Sequence, residues 1–265
     1  MPRRLILWDI DGTLLSTGPA GRVALEEGVR RVSGLDVPGD VEMSGKTDPL
    51  IVRELLTSAG LARDDVERLV PAALEEARRA LAADLGRIRR EGSVHPGVRE
   101  LLEALSSFEG VRQSLLTGNI APNALLKVRA FGLDRYLDHE IGAYGTDHAA
   151  REGLVPIARE RALALRGESY EPGEVWVVGD TARDLSCARA GGVRCLIVGT
   201  GHAGFDAVRA LDADALFEDL ADTEAVLRHL LDGDSPAARS APGAAGCEVG
   251  SVESQQPTVE DASTT

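Results

Sequence analysis

Four short, largely apolar runs punctuate the chain: Leu5-Ile6-Leu7-Trp8, Val111 to Leu116, Val175-Trp176-Val177-Val178, and Val193 to Val198. Each is followed by a polar or glycine-bearing turn and then by apolar residues at three- and four-residue spacing. Runs of this length predict parallel strands buried on both faces, with helices in the crossovers. Those helices are expected over 97–108, 122–131, 152–165 and 181–190, with a weaker last strand and helix at 214–217 and 222–231. Between the first two runs the pattern changes: residues 20–33, 47–60 and 64–90 carry Leu, Val and Ala at helical spacing among Glu and Arg, without strand-like alternation. The expected organisation is an α/β core of residues 1–15 and 95–232, an inserted helical module over 16–94, and hinges at 16–18 and 92–96, where Gly and Pro cluster. From Gly233 the chain turns to Ser, Pro, Ala, Gly and Thr without apolar periodicity, and 233–265 reads as a disordered tail.

Composition narrows the function classes. With 265 residues, 43% hydrophobic and 27% charged, the chain can bury a sizeable core and is neither fibrous nor wholly disordered. A net charge of −14 argues against a broad nucleic-acid surface, which needs a positive field. A small anionic substrate would need a metal or local cations inside this acidic shell. No apolar run reaches the ~18 residues of a membrane helix, and the stretch after Arg3 and Arg4 is too short for a signal peptide, so a cytoplasmic location is expected. Cys187, Cys195 and Cys247 form neither an even disulfide framework nor a CxxC pair, which fits a reducing compartment. Of 29 basic residues only Lys46 and Lys127 are lysines, so each is a position where a compact ammonium has been kept.

Three motifs carry chemistry, each at the end of a predicted strand, where a parallel sheet forms its ligand crevice. The first is Asp9-Ile10-Asp11-Gly12-Thr13. Two carboxylates two residues apart can divide phosphoryl transfer, one attacking phosphorus and the other moving protons, while Gly12 lets the chain turn. The second is Thr117-Gly118-Asn119, a hydroxyl followed by backbone N–H groups near a helix start, suited to phosphoryl oxygens. The third is Gly179-Asp180-Thr181-Ala182-Arg183-Asp184, whose carboxylates suit Mg²⁺. Gly45-Lys46-Thr47 looks like the end of a P-loop, but position 40 is Asp and no buried strand precedes it, so that reading is rejected. The five histidines, His95, His139, His148, His202 and His229, show no paired metal spacing and read as structural or exposed.

In these motifs and their order the chain resembles the haloacid dehalogenase-like superfamily of phosphohydrolases over residues 1–232. Within it, the chain resembles the helical-cap subtype of phosphoglycolate phosphatases and β-phosphoglucomutases. The resemblance implies a Rossmann-like parallel sheet core and makes 16–94 the cap. It implies Asp9 as nucleophile, Asp11 as general acid/base, and Thr117 on the transferring phosphoryl, with Gly12, Thr13, Gly118 and Asn119 lining that site. Mg²⁺ would be held by Asp9, Asp180 and the backbone carbonyl of Asp11, with Asp184 joining directly or through water. The family's basic residue falls on Lys127, ten residues past Thr117, with Arg151 as the alternative; Lys46 would reach the distal part of the substrate. The implied function is a Mg²⁺-dependent phosphomonoester hydrolase acting on a small phosphorylated metabolite. A phosphomutase of β-phosphoglucomutase type, or a non-catalytic binding protein on the same fold, are the alternatives.

Overall fold

The computed structural model describes residues 3–37 and 39–232; the expected tail at 233–265 lies outside them. The strands are β1 (Arg4–Trp8), β2 (Leu15–Ser16), β3 (Ser93–Val94), β4 (Val111–Thr117), β5 (Ala143–Tyr144), β6 (Val175–Gly179), β7 (Arg194–Val198) and β8 (Ala215–Phe217). The helices are α1 (Ala20–Ser33), α2 (Asp48–Ser58), α3 (Arg63–Ala83), α4 (Leu85–Glu91), α5 (Val98–Ser106), α6 (Ala121–Ala130), α7 (Leu154–Arg166), α8 (Ala182–Ala190), α9 (Phe205–Val208) and α10 (Thr223–Asp232).

Six strands form one parallel sheet in the order β5-β4-β1-β6-β7-β8. Alternation along β1 explains why Leu5 to Trp8 is apolar without interruption. Ile6 and Trp8 face a layer that contains α5, α6 and α10, whereas Leu5 and Leu7 face α7 and α8. All four residues are fully buried, so neither face has room for a polar side chain. Trp8 and Trp176 both sit in this core.

The stretch between β1 and β4 is helical, as its periodicity predicts. Leu25 and Val29 of α1, four apolar residues of α2, and Val66, Val70, Ala73 and Ala77 of α3 make a second core of their own. Gly28 lets α1 and α3 approach closely, because any Cβ there would strike the backbone at Ala73. The single helix expected over 64–90 is broken at Asp84 into α3 and α4. At the two expected hinges the chain pairs with itself, Leu15 with Val94 and Ser16 with Ser93, in an antiparallel ribbon. Two-residue strands carry no periodicity, which is why β2, β3 and the edge strand β5 leave no mark in the sequence.

Candidate active site

β1 sits mid-sheet and delivers Asp9 and Asp11 beyond its carboxyl end. The turn depends on Gly12, which has φ of +86° and packs so tightly on Asp180 that a Cβ would collide with its carboxylate. Thr200 Oγ1 donates to the Gly12 carbonyl over 2.6 Å and pins the loop. Thr13, expected beside the substrate, is instead fully buried and donates to Asp180 Oδ1 at 3.1 Å, so it orients a carboxylate.

Asp9, Asp180 and Asp184 converge, with a carboxylate oxygen from each within 4.8 Å of the others. All three are buried. Burial, opposed by Arg151 and assisted by Asp184 and Asp11, pushes Asp9 up to about 6. Asp180 is raised well above the usual carboxylate range by burial and then by Asp184 and Asp9. The Arg151 guanidinium lies against this cluster, with Nη2 3.2 Å from Asp9 Oδ2 and also bonded to Asp184 Oδ1. Burial works against its charge, but Asp184 and Asp9 outweigh that and hold it cationic. The other Asp184 oxygen accepts from Thr181 N at 3.0 Å and Thr181 Oγ1 at 2.6 Å, in a capping box that opens α8. Three crowded carboxylates with one guanidinium between them form an all-oxygen donor set that fits a hard divalent cation.

Asp11 stands outside that cluster. Its side chain is 43% exposed, and its Oδ2 accepts from Lys127 Nζ at 2.5 Å and from Asn119 Nδ2 at 2.8 Å. Lys127 also donates to Asn119 Oδ1 at 2.7 Å. The two candidate cations are therefore divided: Arg151 meets Asp9, while Lys127, reaching in from α6, meets Asp11. Thr117 is fully buried, and its Oγ1 accepts from Asn119 N at 3.3 Å and Nδ2 at 2.9 Å. With both lone pairs engaged, its own proton is left to donate to a ligand.

The helical module closes over this crevice through the loop that leads into α2. Asp48 N donates to Gly118 O at 2.7 Å, and Thr47 Oγ1 donates to Ala149 O at 2.7 Å. Asp48 Oδ2 accepts from Ile120 N at 2.9 Å, so a residue of the module caps α6 of the core. Lys46 lines the resulting cavity with its Nζ 2.6 Å from Glu54 and 3.9 Å from Glu42. Sequence reasoning missed Asp48; its only signal was the Thr-Asp-Pro of a capped helix start, and its partner lies 72 residues away. Two of the histidines read as structural or exposed, His95 and His202, also line the cavity. His95 Nε2 is buried without a hydrogen-bond partner.

A parallel sheet with paired carboxylates at its central strand end, and a metal-suited cluster at the next, defines a phosphoryl-transfer enzyme of the Rossmann-like class. The chain belongs to the haloacid dehalogenase-like hydrolases, whose family model matches residues 6–189. It is 31% identical over 233 residues to a plasmid-encoded phosphoglycolate phosphatase of Cupriavidus necator, covering 86% of this chain and 94% of that one. To a phosphoglycolate phosphatase of Rhodospirillum rubrum it is 30% identical over 224 residues, covering 83% and 89%. The crystal structure of a predicted phosphatase from Clostridium acetobutylicum shares the fold, with a TM-score of 0.62 over 86% of this chain and 100% of that one at 15% identity. The protein is a phosphatase of this hydrolase family. Among the described residues no helix is long and apolar enough to cross a membrane.

Proposed function

We propose that the protein is a Mg²⁺-dependent phosphomonoester hydrolase that acts on a small phosphorylated metabolite through an aspartyl-phosphate on Asp9. The observation that carries this is the contrast between two neighbouring carboxylates. Asp9 is buried in the acidic cluster against Arg151, whereas Asp11 is half exposed to the cavity and held from behind by Lys127 and Asn119. Different surroundings give two like groups different tasks.

In this reading Asp9 attacks phosphorus, and Arg151 offsets charge on the carboxylate and on the phosphoryl oxygens. Thr117 Oγ and the N–H groups of the Gly118-Asn119 loop hold the transferring group. Asp11 gives a proton to the leaving oxygen and later takes one from the water that attacks the aspartyl-phosphate. Lys127 and Asn119 fix one Asp11 oxygen so that the other faces the substrate. Asp9, Asp180 and Asp184, with the Asp11 backbone carbonyl, would hold Mg²⁺, which supplies Lewis-acid stabilisation of the phosphoryl charge. Helices over 16–94 act as the cap that excludes bulk water and reads the leaving group. The hydrolase family and the relatives named as phosphatases favour this reading over a phosphomutase. A cytoplasmic location belongs to the same proposal, in keeping with the buried, unpaired Cys187 and Cys195.

Phosphate release from a panel of phosphomonoesters, with Mg²⁺ and with chelator, tests the reading. Metal-dependent release that Asp9→Asn abolishes is expected. Release by Asp9→Asn at the wild-type rate would refute it.

A further inference from the structure

Resting on that reading, the cavity wall beyond the phosphoryl site points to a substrate class. The cavity has a volume of about 650 Å³. That lies within the range that buries a body of many heavy atoms. A two-carbon leaving group would leave most of it to water.

The arginines and lysines on its wall are already paired. Each Arg and Lys that lines the cavity among the described residues sits in an ion pair within the protein. Arg151 pairs with Asp9 at 3.2 Å and Lys127 with Asp11 at 2.5 Å. On the cap side, Lys46 pairs with Glu54 at 2.6 Å, and Arg22 pairs with Glu26 at 3.2 Å while donating to Val41 O at 3.0 Å. Asp40 and Glu42 add further carboxylates to the same wall. A second anion on the substrate would therefore have to displace an existing carboxylate partner or meet uncompensated negative charge. Besides Ser16, Thr17, Ser44 and Asp48, the cap-side lining carries apolar side chains from four separate segments: Leu25, Val41 and Met43, Ile51, and Leu81. Water on such a wall is released when an apolar body covers it.

We infer that the substrates are phosphomonoesters of uncharged alcohols with an apolar body, and that a carboxylated leaving group such as glycolate is disfavoured. The phosphoryl end is read by the core, and the cap reads bulk and the absence of charge.

Four esters separate charge from size: ethyl phosphate, phosphoglycolate, 4-methylbenzyl phosphate and 4-carboxybenzyl phosphate. Their binding to the Asp9→Asn protein in Mg²⁺, measured by calorimetry, tests the inference without turnover. The 4-methylbenzyl ester is expected to bind at least about tenfold more tightly than either ethyl phosphate or the 4-carboxybenzyl ester. Glu54→Gln, which takes the nearer carboxylate from the Lys46 ammonium, is expected to narrow the gap between the two benzyl esters. Carboxylated esters that bind as well as their uncharged counterparts, or ethyl phosphate that binds as well as the methylbenzyl ester, would overturn the inference. Should Asp9→Asn fail to fold, inhibition of the wild-type enzyme by the two benzyl alcohols gives the same comparison. Turnover by the wild type is scored separately: tight binding of the methylbenzyl ester without phosphate release would sink the phosphatase reading and leave the cavity assignment standing.

Discussion

Lys127 Nζ lies 2.5 Å from Asp11 Oδ2, while Arg151 Nη2 lies 3.2 Å from Asp9 Oδ2. Each of the paired acids thus has its own cation, brought from a different part of the chain. Lys127 comes from α6, and Arg151 from the short turn ahead of α7. The division lets one carboxylate stay in the buried acidic cluster while the other faces the cavity.

Lys127→Met should lower kcat by about 10²-fold or more, the usual worth of a positioned acid or base, and change KM little. Lys127→Arg should recover only part of the loss, since a planar fork cannot replace a point charge between Asp11 and Asn119. Steady-state kinetics on the preferred substrate decide it. A kcat within twofold of wild type would show that Asp11 needs no such support.

Arg151 is the cation nearest the acidic cluster, so its removal leaves buried carboxylates without compensation. In chelator, Arg151→Ala should cost on the order of 3–5 kcal/mol of stability, with Arg151→Lys costing less. Mg²⁺ should return part of the loss if, as proposed, it binds the acidic cluster of the folded state. Urea unfolding with and without metal measures both, and an unchanged midpoint in chelator would contradict the account.

Asp48 gives a pH signature. Burial, opposed by Lys127 and the Ile120 N–H, raises its carboxyl from an ordinary 3.8 to about 6. The folded state therefore holds this proton more tightly than the unfolded state. The stabilisation is complete below about 3.8 and is lost as pH rises through about 6. Asp48→Asn removes the titration. Relative to wild type, the variant should gain on the order of 2 kcal/mol between pH 4 and 7. Parallel stability curves for the two proteins across that range would exclude the effect.

The cap loop rests on the core through Gly45, where φ is +67° and a Cβ would lie 2.6 Å from Thr181 Oγ1. Gly45→Ala both strains the backbone and pushes the loop off α8. It should raise KM more than it lowers kcat, because in the proposed reading the helices over 16–94 read the leaving group while the sheet carries the chemistry. A fall in kcat at constant KM would assign the loop a different task.

The layered fold was legible because β1, β6 and β7 are buried on both faces and, after the arginine that opens β1 and β7, read as unbroken apolar segments. The candidate site was legible where its residues cluster in sequence, as in Asp9-Ile10-Asp11-Gly12 and Asp180 to Asp184. Relations between distant segments were not. The sequence singles out Lys127 through its rarity, but its partner is fixed by how α6 packs beside β1. Thr13 belongs to the first motif, yet the turn at Gly12 buries it under Asp180. Asp48 resembles any helix cap until the loop before α2 folds onto Gly118 and Ile120.

The central claim is that Asp9 carries the phosphoryl group. Borohydride reduction of acid-quenched enzyme, followed by peptide mapping, tests it most directly by converting an aspartyl-phosphate to homoserine. Homoserine is expected at position 9 after mixing with substrate and Mg²⁺, and at no position in chelator or in Asp9→Asn. Homoserine at Asp11 or Asp180, or full phosphate release by Asp9→Asn, would contradict the account.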